Sequence, residues 1–249
     1  MGKSKIRWSM LGVIFTLAGP TIFEQFMQTA VQYIDTAMVG SLGTSATAAV
    51  GATTTVNWLV GSTVSAVGVG FLSYIAKKHG SGDLTAVRRA SAQSVLAVLV
   101  TGVFFTVLTL SLSSVVPVLM QVDEPIRELA ARYFFILYTP MLPRAATIIF
   151  GTVLRAVGDT KTPMYAGIAV NLVNVVLNFL LIYPTREIFG ITVWGADMGV
   201  IGAAAASAAG FTVGGIIITC PLWKHPLLSP KRLSLKPDKE ILGPCLKVA

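Results

Sequence analysis

Six long apolar stretches follow one another along the chain, at roughly 10–40, 46–76, 89–120, 128–156, 162–183 and 198–223. Each meets the requirement of about 20 predominantly apolar residues for a helix that crosses a bilayer. The joints between them carry turn chemistry: Gly40-Ser41-Leu42-Gly43, His79-Gly80-Ser81-Gly82-Asp83, Asp123-Glu124-Pro125, Gly158-Asp159-Thr160 and a longer segment, 184–197. A soluble core helix can resemble any one of these stretches, but six in succession predict an all-α polytopic membrane protein. The expected organisation is a six-helix transmembrane lobe over 1–223 and a cytoplasmic tail over 224–249. Gly202, Ala206, Gly210 and Gly214 recur every fourth position, a small-residue ridge for close helix packing. Pro20, Pro140 and Pro143 interrupt spans, each removing a backbone donor and inviting a kink. A bend is expected near Pro20, where the carbonyl of Thr16 loses its donor, and this marks Pro20 as a hinge.

The first span is not uniformly apolar. At about 100° per residue, Glu24, Gln25, Gln28, Gln32 and Asp35 fall within an arc of roughly 100°. Ionisable groups at membrane depth are costly unless they face protein or a water-filled cavity, so this stripe predicts a helix lining a polar path. An interhelical seam would be served by amides and gains little from two carboxylates.

On the fifth span Asn171, Asn174 and Asn178 share an arc of roughly 60°. Counting about 1.5 Å per residue from the outer ends places Asn174 and Asn178 near the depth of Asp35. One carboxylate and amide oxygens can hold a proton or a hard cation such as Na⁺. Such an Asp35 can be neutral when protonated and charged when empty or cation-bound. The same counting puts Glu24 and Arg144 at similar depths. Two arrangements remain open for them, a Glu24–Arg144 ion pair or an Arg144 that faces an aqueous cavity. In 155–163, Gly158 suits a helix end, Asp159 or Thr160 an N-cap and Pro163 a first turn.

Composition agrees with the pattern. Apolar residues are 54% of the chain and charged residues 12%, against about 25% charged in soluble domains; mean hydropathy is +0.74. The net charge of +8 does not point to nucleic acid, because fifteen of the nineteen Lys and Arg lie in alternate non-membrane segments. By the positive-inside rule both termini are cytoplasmic, and 41–45, 121–127 and 184–197 face outward. Cys220 and Cys245 are too few for a disulfide framework or a metal site, and His79 and His225 read as solvated loop residues. The basic head and apolar body of the first 25 residues read as an uncleaved first helix, and Ile6 stands where a myristoylation signal wants Ser or Thr.

Three pieces carry a family resemblance. Ala18-Gly19-Pro20 is followed fifteen residues on by Asp35 within 34–43; 154–161 reads Leu-Arg-Ala-Val-Gly-Asp-Thr-Lys; and Asn171, Asn174 and Asn178 share one face. In combination, and over nearly the whole chain, they resemble the MATE family, the multidrug and toxic compound extrusion transporters. The resemblance implies two six-helix lobes around a central cavity and cation-coupled antiport of small organic or drug-like compounds by alternating access. This chain corresponds to the first lobe, and its tail from Leu235 looks like the inter-lobe linker and the approach to a seventh helix of a missing second lobe. Asp35, Asn174 and Asn178 map to the cation-coupling site, although the family often has Asp at the position of Asn178, which leaves H⁺ and Na⁺ both open. Glu24, Gln28, Gln32, Arg144 and Asn171 are candidates for lining the cavity or meeting substrate. No cofactor is implied beyond the coupling ion, and the partners are a small-molecule substrate and membrane lipid. The expected location is the plasma membrane, the inner membrane in a bacterium. The rivals are a lipid-linked oligosaccharide flippase of the same superfold, in which Arg144 would meet phosphate, and a structural membrane subunit. An intramembrane enzyme would need a nucleophile–base set or metal cluster that the His and Cys positions do not provide.

Overall fold

The computed structural model describes residues 2–188, 190–230 and 236–248. Lys231, Arg232 and Leu235, counted above with the tail, lie outside the described residues. The elements in order are α1 (Gly2–Gly40), α2 (Thr44–Gly80), α3 (Leu84–Ser111), α4 (Val116–Leu119), α5 (Glu124–Tyr138), α6 (Met141–Ala156) and α7 (Lys161–Leu181). A two-stranded antiparallel hairpin, β1 (Pro184–Ile188) with β2 (Ile191–Ala196), precedes α8 (Gly199–Lys224) and α9 (Lys239–Val248). Among the described residues, α2, α3, α7 and α8 are each long and apolar enough to cross a membrane, and α5 with α6 make one further span bent by 50°. α1, at 39 residues, is also of crossing length. With it, the lobe has six crossing units.

Two expectations are corrected and one is met. The third span ends at Ser111 rather than near 120, because the chain turns through 112–115 into the short α4, with Gln121 at φ 55° just beyond. The fourth span breaks where Pro140 was expected to interrupt it: Pro140 cannot donate to the α5 ladder, and the chain bends between Tyr138 and Met141. The segment 184–197 is not an irregular loop but mostly the hairpin, with Arg186 stacked over Phe179 at 4.4 Å and Tyr183 at 4.0 Å.

The joints follow local chemistry. Gly82 takes φ +77°, a value glycine adopts without steric cost. Asp83 then caps α3, its Oδ1 accepting the Ala86 amide at 3.1 Å while Lys78 Nζ donates to Oδ2 at 3.0 Å. The amide of Ala86 and the Lys78 ammonium hold the Asp83 carboxyl below its usual range. A carboxyl depressed in the fold stabilises fully above its unfolded pKa and loses that share as pH falls through the folded one. Asp83→Ala should therefore lower the melting temperature at pH 7, and the difference from wild type should vanish on acidification below the ordinary carboxylate range. At the joint between α6 and α7 Gly158 has φ +89°, and Asp159 is the residue that caps α7, taking the Thr162 amide at 3.0 Å and its hydroxyl at 2.7 Å.

The core runs through the packing of α2, α6, α7 and α8. The small-residue ridge of α8 is buried against α7: at Gly202 the Leu181 carbonyl passes so close that a Cβ would lie 2.5 Å from it, and Gly210 meets the Val170 carbonyl. The tail folds back onto the C-terminal end of α2 and the N-terminal end of α3. Ser91 donates to the Leu228 carbonyl at 2.6 Å, Gln93 brackets 236–238 with two bonds, and Arg89 pairs with Asp238. Ile241 and Cys245 of α9 are buried there, and burial pushes the Cys245 thiol up to about 11. His225 is not a partnerless loop residue, since its Nδ1 accepts the amides of Leu227 and Leu228 at 3.2 Å.

Candidate functional site

A polar chain crosses three helices at the depth where the sequence places Asp35. The Asn178 amide on α7 donates to Asp35 Oδ1 on α1 and to Asn174 Oδ1, one turn away, at 3.2 Å. Asn174 in turn donates to Ser207 Oγ on α8 at 2.9 Å. Asn178 is fully buried and Asn174 is 7% exposed, while Asp35 is half-buried. Asn178 Oδ1 is a buried acceptor with no hydrogen-bond partner among the described residues. Buried polar groups are normally satisfied, so an oxygen of this kind beside a carboxylate is fitted to a proton or a hard cation. The donor set available to such an ion is Asp35, Asn178 Oδ1, Asn174 Oδ1 and Ser207 Oγ. Asn171 lies one turn further along the same face, half-buried, with no hydrogen bond found among the described residues.

The polar stripe of α1 is split by the packing. Glu24 and Asp35 turn toward α6 and α7, whereas Gln25, Gln28 and Gln32 are exposed. Glu24 does not pair with Arg144. Its carboxylate meets Arg155 Nη2 at 2.6 Å, both side chains largely covered. Equal depth was the wrong guide to its partner: Arg155 stands three turns beyond Arg144, at the C-terminal end of α6. The C-terminal end of α1 is held separately: Ser41 Oγ and Tyr183 Oη are 2.9 Å apart, and Tyr183 Oη reaches the Met38 carbonyl at 3.3 Å. Pro20 lies within an α1 that continues through it from Gly2 to Gly40, one turn before the Glu24–Arg155 clasp.

Arg144 is 8% exposed and makes no ion pair among the described residues. Its guanidinium lies over the rings of Tyr138 at 5.7 Å and Phe211 at 4.7 Å, and Nη1 is buried without a hydrogen-bond partner. Each ring face returns about 0.5–2 kcal/mol, less than the several kcal/mol that burying an unpaired charge costs. Sequence reasoning missed Ser207, Tyr183 and the role of Arg155. Ser207 had a signal, as the one polar side chain in the run 203–209; the other two had none that a single helix could display.

A family model described as MatE matches residues 20–180. The chain belongs to the MATE family. A protein of Thermotoga maritima named "Probable multidrug resistance protein NorM" is 30% identical over 236 residues, which is 92% of this chain and 49% of that protein. A namesake from Deinococcus radiodurans is 32% identical over 200 residues, 80% of this chain and 42% of that one. A multidrug resistance MATE transporter of the MOP superfamily solved in an outward-facing conformation aligns with TM-score 0.83 at 26% identity, covering 94% of this chain and 50% of that one. An inward-facing conformation aligns with TM-score 0.76, over 95% and 52%. The chain spans about half the length of the relatives it matches. It is an all-α, multi-pass MATE lobe, and its fold is the fold these structures share.

Proposed function

We propose that the complete protein is a cation-coupled antiporter that exports small organic compounds by alternating access, with this lobe holding the coupling ion. The supporting observation is the Asp35–Asn178–Asn174–Ser207 chain, which joins α1, α7 and α8 around a buried oxygen left without a partner. Protonation or cation binding at Asp35 changes what Asn178 can donate to. The bond tying α1 to α7 then has two states, and a ligand that favours one shifts the packing of the lobe. H⁺ and Na⁺ both suit this donor set. The exposed Gln25, Gln28 and Gln32 are polar groups at membrane depth that lipid does not satisfy. They are suited to a water-filled cavity shared with a second lobe. Membership of the MATE family favours small organic cargo over the lipid-linked oligosaccharides of the rival flippase reading. Transport of this kind makes and breaks no covalent bond, so no catalytic residue is assigned.

The Glu24–Arg155 pair holds the inner half of α1 against α6, and Pro20 lies on its inner side. Pro20 weakens the helix where the two halves would move separately. The deciding experiment is export from cells or proteoliposomes by the two-lobe protein under imposed H⁺ and Na⁺ gradients, with and without Asp35. Topology is tested apart from transport. With both termini cytoplasmic, cysteines placed at Ser41 and Thr192 should react with an impermeant maleimide added outside intact cells, and one at Ser81 should not. External labelling at Ser81 would reverse the orientation.

A further inference from the structure

The coupling site uses Asp35 and the asparagines; it leaves Arg144 unexplained. This guanidinium is more than nine-tenths buried, has no acidic partner among the described residues, and keeps Nη1 without an acceptor. The rings of Tyr138 on α5 and Phe211 on α8 stack against it and fix its plane. On its α2 side stands Gly61, where an added Cβ would meet nothing within 4 Å except Arg144 Nη2 at 3.6 Å. One turn before Gly61 is the half-buried Asn57. Its Oδ1 accepts from Tyr138 Oη at 3.3 Å, and no partner of its Nδ2 is found among the described residues. Two kinds of donor thus neighbour the same aromatic residue: the Arg144 fork lies over the Tyr138 ring, and Asn57 accepts the Tyr138 hydroxyl.

Resting on the transport reading above, we propose that Arg144 and Asn57 form a binding site for the carboxylate of an apolar-bodied organic acid or zwitterion, which makes such compounds substrates of this transporter. A carboxylate matches the fork in two parallel bonds and supplies the acceptor that Nη1 lacks. The neighbouring rings offer an apolar surface to the rest of the compound and nothing anionic. An organic monocation finds no counter-charge there. The site is distinct from the coupling site in residues and in sign of charge, so cargo and coupling ion need not compete for one group.

The test is isothermal titration of the purified full-length protein with benzoate and, separately, with benzylammonium, a cation of the same shape. Wild type should bind benzoate, and Arg144→Gln should weaken that affinity at least about tenfold, the loss of roughly one charge-assisted hydrogen bond. Arg144→Lys should retain part of it. Gly61→Leu fills the space beside Nη2 while keeping the charge, and should weaken benzoate binding as well; it carries the test if Arg144→Gln fails to fold. Benzylammonium affinity should not change in any of these variants. Equal benzoate affinity in wild type and Gly61→Leu, or no benzoate binding by wild type, overturns the proposal. A wild type that binds benzoate through Arg144 yet exports no organic ion in proteoliposomes would overturn the transport reading and leave the site standing.

Discussion

Asp35→Asn in the complete two-lobe protein should reduce gradient-driven export about 100-fold, toward the upper end of typical coupling energies, while expression and membrane insertion stay near wild type. The asparagine keeps the shape and still accepts from Asn178, whose amide bonds Asp35 Oδ1 in the structure. What it loses is the ability to alternate between charged and neutral, so α1 stays tied to α7 in one state. Substrate binding can survive, which separates a coupling defect from a folding defect: equilibrium binding should persist where concentrative export fails. Asn178→Ala should weaken coupling less, by about tenfold. It removes the donor to Asp35 and to Asn174 but no charge. Export by Asp35→Asn at the wild-type rate under the same gradient would reduce Asp35 to a packing residue and move the coupling site elsewhere.

Gly202→Val should be the most destabilising single change on the α7–α8 seam, lowering stability by about 3 kcal/mol, the upper end of what overpacking typically costs. The obstacle at Gly202 is backbone: even the first added carbon would lie 2.5 Å from the Leu181 carbonyl oxygen and 2.6 Å from its carbon. Neither atom can rotate away, so α7 and α8 must part. At Gly214 the nearest obstacle is the Val170 side chain, which can change rotamer, so Gly214→Ala should cost less. Gly51 is the control. It sits inside α2 with nothing within 4 Å of an added Cβ, and Gly51→Ala should be neutral or stabilising by up to about 1 kcal/mol. Thermal unfolding of the three variants in the same detergent gives the order directly. A melting temperature for Gly202→Val equal to wild type would mean the helices do not approach this closely.

The chain taken one helix at a time already contained a good part of this. Apolar runs with loop chemistry between them defined the crossing units, because a helix in lipid must be apolar for its whole transit. The four-residue recurrence from Gly202 to Gly214 marked the face that α8 buries. Depth counting brought Asp35, Asn174 and Asn178 to one level, and the family resemblance rested on those same positions. All of these are properties of a single helix, its length, its face and the distance of a residue from its end, and sequence states them directly.

What required the tertiary structure was which faces meet. Sequence set Glu24 level with Arg144 on α6, but its partner is Arg155. The choice fell to Arg155 because the bend at Pro140 and the rotation of α6 turn Arg144 between Tyr138 and Phe211 instead. Likewise the stripe on α1 was legible as one polar arc, but only packing divided it into Glu24 and Asp35 turned inward and three glutamines left exposed. The end of α3, the hairpin after α7 and the docking of α9 over Gly70 also came from contacts between distant segments. Sequence periodicity fixes angle and height on each helix's own axis, whereas the azimuth and tilt of one helix against another are set by backbone approach and side-chain fit. The residues proposed for coupling could therefore be brought to one depth from the sequence, whereas Ser207 and the Glu24–Arg155 pair came only from packing.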